Sequence, residues 1–206
     1  MEDVRDLKAL QLDALREVAN IGGGHAATAL SQMTNRTIMI AVPEVNVRAL
    51  EEVTDLVGAP DTVIAAVMMH MMGDLTGRTL VLFPEGSART LCDILLRREG
   101  GGTREFGAME QSGIKEAGNI LASAYLNALS DFMGMMLVPS VPSLVVDLSA
   151  AVLTTAYLNF GHDRDYVFCV ETAFKVAGAT EPLSGHFLLL PDMPSLRAIF
   201  DAIRLR

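Results

Sequence analysis

Residues 7–33 and 105–133 repeat apolar side chains at three- and four-residue intervals, the period of an amphipathic helix. In the first stretch Leu15, Val18, Gly22, Ala26, Ala29 and Met33 share one side. With 100° between successive residues, Asp13, Glu17 and Asn20 fall at about 0°, 40° and −20°, a polar stripe on the opposite side that Gly24 and Ala27 extend. The second stretch has the same layout. Ser112, Glu116, Asn119 and Ser123 form its polar stripe, with Ile114, Ala117, Leu121, Tyr125, Ala128 and Phe132 opposite. The pattern predicts two long helices that bury their small and apolar sides and turn a carboxylate and a carboxamide to solvent.

Strand-like runs fall between and after these helices, at Thr37–Val47, Thr62–Met72 and Arg78–Phe83, then at Met136–Asp147, Tyr166–Val176 and Ser184–Leu190. Shorter helices are expected over Gly86–Arg97 and Ser195–Ile203, with Pro84 and Pro191 ending the preceding strands and Ser87 and Asp192 as candidate caps. Arg98-Glu-Gly-Gly-Gly-Thr-Arg104 reads as a hinge, and 57–60 and 177–182 as ordinary loops.

The chain also repeats itself. Asp13-x3-Glu17-x2-Asn20 is answered by Ser112-x3-Glu116-x2-Asn119 at a constant offset of 99 residues. In both copies 22 residues then lead to a proline, Pro43 and Pro142. Leu75-Thr-Gly-Arg-Thr-Leu-Val-Leu-Phe-Pro84 corresponds to Leu183-Ser-Gly-His-Phe-Leu-Leu-Leu-Pro191, shorter by one residue. Residues 1–206 are therefore expected to form a single domain made of two homologous halves, 1–99 and 103–206. The fold class expected is α/β and pseudo-two-fold, with a sheet of about six strands and the two long equivalent helices on one side.

Composition narrows the function classes. Half of the 206 residues are hydrophobic and 20% are charged, so a well-buried core is expected. The formal net charge of −9 has the wrong sign for general binding to a phosphate backbone, which argues against a nucleic-acid partner. No apolar run reaches the ~20 residues that cross a bilayer, and the charged N-terminus lacks a secretory hydrophobic segment, so a soluble cytoplasmic protein is expected. Cys92 and Cys169 lie on separate apolar-periodic stretches and read as buried free thiols. The four histidines, His25, His70, His162 and His186, are scattered without metal-ligand spacing, and no metal site is expected. Gly22-Gly23-Gly24 sits inside a predicted helix rather than after a strand, which does not suit a phosphate loop. Most of the 12 methionines read as core filler.

Exposed Glu and Asn on a single helix would ordinarily be mere solvation. Asparagine, however, costs several tenths of a kcal/mol relative to alanine inside a helix. Before three glycines Asn20 could be a helix cap, but Asn119 precedes Ile-Leu-Ala-Ser-Ala and cannot be one. The duplicated pair calls for a functional reason.

The two copies of [Asp/Ser]-x3-Glu-x2-Asn-x22-Pro, at Asp13/Glu17/Asn20/Pro43 and Ser112/Glu116/Asn119/Pro142, resemble the signature of the CheC family of chemotaxis phosphatases, and the similarity spans nearly the whole chain. Asn20–Ser31 is similar to that family's first motif helix, with His25 where asparagine is more usual. The resemblance implies hydrolysis of the aspartyl phosphate on a CheY-like response regulator. Asn20 and Asn119 would place the attacking water, Glu17 and Glu116 would pair with the receiver's lysine, and Asp13, Ser112, Pro43 and Pro142 would support the motif. It further implies no cofactor in this chain, Mg²⁺ being held by the receiver, and CheD, a receptor-modifying deamidase, as a second partner. The alternative is a non-enzymatic module, either a CheD-binding regulator or a component of the flagellar-switch type. The motif begins at Asp13 and the last predicted helix runs to the C-terminus, as expected of a stand-alone phosphatase.

Overall fold

A computed structural model of the chain describes residues 9–41, 43–49, 59–98, 101–160, 166–177 and 183–204. The elements run α1 (Ala9–Thr34), β1 (Ile38–Ile40), β2 (Glu44–Ala49), β3 (Val63–Gly73), β4 (Gly77–Pro84), α2 (Glu85–Leu95), α3 (Ala108–Met133), β5 (Leu137–Pro139), β6 (Ser143–Leu148), α4 (Ser149–Phe160), β7 (Tyr166–Val176), β8 (Leu183–Pro191) and α5 (Met193–Arg204). The two long helices and the two short ones fall within three residues of their expected limits.

All strands join one antiparallel sheet in the order β1-β7-β8-β4-β3-β5, with β2 also on β7 and β6 also on β3. Among the described residues eight strands thus fill six positions. The surplus over the six expected comes from the two outer positions, where Pro43 lies between β1 and β2 and Pro142 between β5 and β6. A proline has no N–H for the ladder, so each outer run is cut into two collinear pieces.

The order reads the same from either end when the halves are exchanged. Each half sends its first strands to pair with the third strand of the other, β1 and β2 with β7, β5 and β6 with β3. The centre is β4 against β8, where Leu80 faces Leu188. These two leucines are each other's counterparts in the repeated segment, as a two-fold axis passing between two antiparallel strands requires.

Alternation along the strands divides the core. Val81 and Phe83 join the main cluster with Ile114, Ala117, Leu121, Ala26 and Leu30 from the long helices. Leu80 and Leu82 point the other way, into a smaller cluster with Ile64, Ala66, Leu188 and Leu190, to which α4 contributes Val152 and Leu153. Helix α4 had no counterpart among the expected elements. Its sequence, SAAVLTTAYLNF, carries apolar and threonine residues on every side and gives no 3.6-residue contrast.

Two smaller expectations meet opposite outcomes. Asp192 does cap α5, its Oδ1 accepting from the Ser195 N–H at 2.9 Å. Ser87 does not cap α2, because the helix already starts at Glu85 with Pro84 at the N-cap position. The Ser87 hydroxyl instead accepts from the Ser184 N–H on β8 at 3.1 Å. Cys92 and Cys169 are free and buried, as expected. Burial, with Glu110 and Asp93 nearby, pushes the Cys92 thiol up to about 11, which keeps it protonated and unreactive.

The segment expected to act as a hinge is tied down where it is described. Asp93 on α2, 3% exposed, accepts from the Gly101 N–H at 2.8 Å and from the Thr103 hydroxyl at 2.6 Å. Arg98 pairs with Glu110 in the first turn of α3, and the Arg89 guanidinium donates to the Thr103 carbonyl while lying over the Phe106 ring. The approach to α3 is therefore fixed by charge-assisted hydrogen bonds rather than left free.

Candidate functional site

Both long helices lie on the same face of the sheet and pack along one another. Their directions follow from the company their side chains keep. Leu15, Val18 and Ala19 of α1 line one apolar pocket together with Tyr125 and Leu129 of α3. Leu30 of α1 lines another with Ala117 and Leu121. The beginning of α1 therefore lies beside the end of α3, and the helices are antiparallel.

Glycine sets how closely they approach. A Cβ at Gly22 would lie 2.7 Å from a Tyr125 ring carbon, 3.0 Å from the Tyr125 Cα and 3.2 Å from the Ala124 carbonyl oxygen. Tyr125 is held from behind by a 2.9 Å hydrogen bond between its hydroxyl and that of Thr172 and by stacking on Phe187. Gly22 stands at about 180° on the helical wheel that puts Asp13 at 0°, so the Asp13/Glu17/Asn20 stripe points directly away from α3. Gly23 faces the outer strands. A Cβ there would lie 3.3 Å from the Ile40 Cγ2 and 3.8 Å from the Pro43 Cγ. The buried Pro43 ring thus packs beneath α1 one turn after Asn20, which gives the 22-residue spacing a structural cause.

Helix α3 has its close approach elsewhere. At Gly118 an added Cβ would meet the Cβ, Cγ1 and Cγ2 of Val67 on β3, each at 2.7 Å. Gly118, just before Asn119, therefore sits directly on the sheet, where α1 has Ala19 in the equivalent place. This asymmetry is visible in exposure. Asp13, Glu17, Asn20, Ser112 and Glu116 are exposed, whereas Asn119 is half-buried.

The four candidate chemical residues are brought together in two pairs, Glu17 with Asn20 and Glu116 with Asn119, each pair one helical turn apart. Among the described residues none of the four side chains enters a hydrogen bond or ion pair. Asp13 differs, since Arg16 holds it in a 2.7 Å ion pair between two well-exposed side chains. Pro142 is half-buried between β5 and β6. A carboxamide on a rigid helix can donate to and accept from one water at once, and a carboxylate beside it can take a cation. Each pair is thus a two-point contact presented outward.

Sequence reasoning did not pick out Gly118 or Tyr125 as residues that hold the sites in place. The available signal was a glycine inside a helix, at a cost of about 1 kcal/mol relative to alanine, between the two motif residues of one copy only.

The remaining histidines divide by environment. His25 and His70 are exposed, while His186 on β8 is buried, with Nδ1 lacking a hydrogen-bond partner among the described residues. Its burial pushes the imidazole below its ordinary value, and Glu171 on the adjoining strand opposes that shift. His162 lies outside the described residues. No described helix is long and apolar enough to cross a membrane.

A duplicated helix-and-strand unit, interleaved through one antiparallel sheet with a Glu/Asn pair on each long helix, defines the class, and comparison with known proteins agrees. The model of the CheC-like family matches residues 10–47 and 109–146, once in each half. The chain belongs to this family. CheY-P phosphatase CheC of Bacillus subtilis is 33% identical over 199 residues, covering 96% of this chain and 95% of that protein. Putative CheY-P phosphatase CheC1 of Halobacterium salinarum is 29% identical over 148 residues, 70% of this chain and 72% of that one. Among solved structures, that of Thermotoga maritima FliY superposes with a TM-score of 0.80 at 19% identity, covering 97% of this chain and 98% of that one.

Proposed function

We propose that this chain is a phosphatase of chemotaxis signalling that hydrolyses the aspartyl phosphate of a CheY-like response regulator through two surface sites, Glu17/Asn20 and Glu116/Asn119. The observation that carries the reading is the pair of outward-facing carboxylate and carboxamide groups on rigid, antiparallel helices, without partners among the described residues. The similarity to a CheY-P phosphatase over nearly the full length supports the reaction class.

The chemistry asks little of the protein. An acyl phosphate is already a good electrophile with a carboxylate leaving group, so the barrier falls mainly through placing water in line with the bond that breaks. In this reading the Asn20 or Asn119 carboxamide accepts from that water through its oxygen and donates through its nitrogen. Water oxygen bonds to phosphorus, the aspartyl oxygen leaves with its electron pair, and the products are inorganic phosphate and a free receiver carboxylate. Glu17 or Glu116 binds the receiver's active-site lysine and fixes the register of the helix in the cleft. Asp13, Ser112, Pro43 and Pro142 support the two helices. Mg²⁺ is supplied by the receiver, and this chain contributes no metal ligand to the step. The same reading treats residues 1–206 as one domain with two equivalent halves, acting in the cytoplasm, with CheD as a second partner.

The test is turnover. With chain present at one-hundredth of the concentration of phosphorylated receiver, the account expects the whole receiver pool to lose phosphate faster than it does alone. Stoichiometric binding without accelerated release would instead identify a non-enzymatic adaptor.

A further inference from the structure

We infer that the interior of this chain holds a binding cavity for a small, uncharged molecule without hydrogen-bonding groups, placed beneath the Glu17/Asn20 pair, and that its occupant raises the rate of that site alone. The coupling to rate rests on the receiver-dephosphorylating role proposed above, whereas the binding itself does not.

The cavity lies between helices and sheet, where Leu15, Val18 and Ala19 of α1 meet Tyr125 of α3, Phe168 of β7 and Ile199 of α5. Its volume is about 40 Å³, and all eleven side chains around it are buried. A single water needs about 10–15 Å³ and two to four polar partners. The cavity has room for about three waters but offers them no partner, because the one hydroxyl among the lining residues, that of Tyr125, is already bonded to Thr172 at 2.9 Å. An apolar space of this kind stays dry and instead takes molecules such as xenon or benzene. The bulk of about three waters matches a ring of about six carbon atoms. A ligand carrying a hydroxyl or a charge would leave that group buried and unpaired.

The matching place in the second half is closed. Phe168 pairs with Leu189 as Val67 pairs with Val81, and Leu189 and Val81 are counterparts in the repeated segment. Gly118 brings α3 so near Val67 that an added Cβ would lie 2.7 Å from it, which leaves no space between helix and strand. In the first half the equivalent residues, Ala19 and Phe168, line the cavity instead. The apolar pocket around Leu30 and Leu121 holds only about 10 Å³. Leu15, Val18 and Ala19 alternate along α1 with Asp13, Glu17 and Asn20, so the roof of the cavity is the back of the first site. An empty space there deprives this stretch of α1 of dispersion contacts on its inner side. A ligand supplies them, narrows the positions open to Asn20 and so favours the in-line placement of water.

Titration of the full chain with benzene, followed through the methyl resonances of the protein, tests the binding. Methyls of Leu15, Val18 and Leu129 should shift and saturate with a Kd of about 0.1–1 mM, while those of Leu30 and Leu91 stay in place. Phenol should bind at least about tenfold more weakly. The variant Val45→Ile/Val170→Ile extends two lining side chains into the space and should lose benzene binding while its melting curve shows it folded. With the cavity saturated, phosphate release from a phosphorylated CheY-like receiver should rise about two- to threefold in Asn119→Ala, where only the first site remains, and stay unchanged in Asn20→Ala. Absence of saturable shifts in wild type would overturn the inference, as would shifts at Leu30 and Leu91 as large as those at Leu15. Benzene binding that alters both single-site variants alike, or neither, would overturn it as well. A wild-type chain that binds benzene but releases no phosphate from the receiver would overturn the role proposed above and the coupling with it, and would leave the ligand site standing.

Discussion

Replacing Gly118 by alanine would place a methyl carbon 2.7 Å from three carbons of Val67, against the 3.5–4.0 Å at which carbon atoms sit in contact. Rotation of the valine cannot relieve the overlap, because its Cβ is one of the three and does not move with χ1. Nor can the strand retreat, since Val67 is fully buried and paired on one side with Val81 and on the other with Leu144. Helix α3 must therefore lift by about 1 Å. Overpacking of this kind costs about 1–3 kcal/mol, and the gain from removing an interior helical glycine offsets about 1 kcal/mol of it. The net loss of about 0–2 kcal/mol should lower the melting temperature by a few degrees. The larger effect should be on chemistry, because Asn119 is the next residue and a 1 Å misplacement of a positioned group can cost about a hundredfold in rate. Measured in an Asn20→Ala background, where only the second site remains, Gly118→Ala should reduce receiver dephosphorylation by ten- to a hundredfold. In an Asn119→Ala background it should leave the rate within about threefold. Gly24→Ala is the control, since nothing lies within 4 Å of its Cβ position and the helix should gain up to about 1 kcal/mol. If Gly118→Ala raised stability as Gly24→Ala does and left the second site at full rate, the argument that this glycine seats α3 would be wrong.

Two further outcomes concern the core. The Thr79 hydroxyl is fully buried without a hydrogen-bond partner among the described residues, so Thr79→Val should stabilise the chain by about 1 kcal/mol in urea unfolding, whereas a loss of stability would reveal a partner for that hydroxyl. His186 is held below its ordinary value by burial, so the unfolded chain binds more protons over the window beneath about pH 6.5. Its contribution is therefore fully present above about pH 6.5 and is lost as pH falls toward the lower folded value, despite the opposing charge of Glu171. Unfolding free energy measured from pH 7.5 to 5 should fall less steeply in His186→Leu than in wild type; parallel curves would contradict the assignment.

The parts of the molecule that were readable in the sequence are those set by local period. The long helices carry unbroken apolar stripes, and Asp192 stands where a cap belongs, so both appear in place. Pairing between strands is a matter of distant partners, and nothing local in Ile38–Ile40 or Glu44–Ala49 shows that they join β7 of the other half. The duplication could be read as a repeat, yet the exchange of outer strands that interleaves the halves could not. Helix α4 was hidden because its apolar side chains show no preferred side, and the start of α2 was misplaced by one residue because Pro84, rather than a hydroxyl, begins it. The outward direction of Asp13, Glu17 and Asn20 followed from helical period alone. The half-burial of Asn119 did not, since it depends on Gly118 settling against a valine from another element.

The central claim is that Asn20 and Asn119 hold the water that attacks the aspartyl phosphate. Its most direct measurement is phosphate release from a purified phosphorylated CheY-like receiver by the double variant Asn20→Ala/Asn119→Ala, shown by circular dichroism and thermal unfolding to be folded. The account predicts that release falls to the receiver's own rate while binding to the beryllofluoride form persists. Release at the wild-type rate from the folded double variant would contradict it.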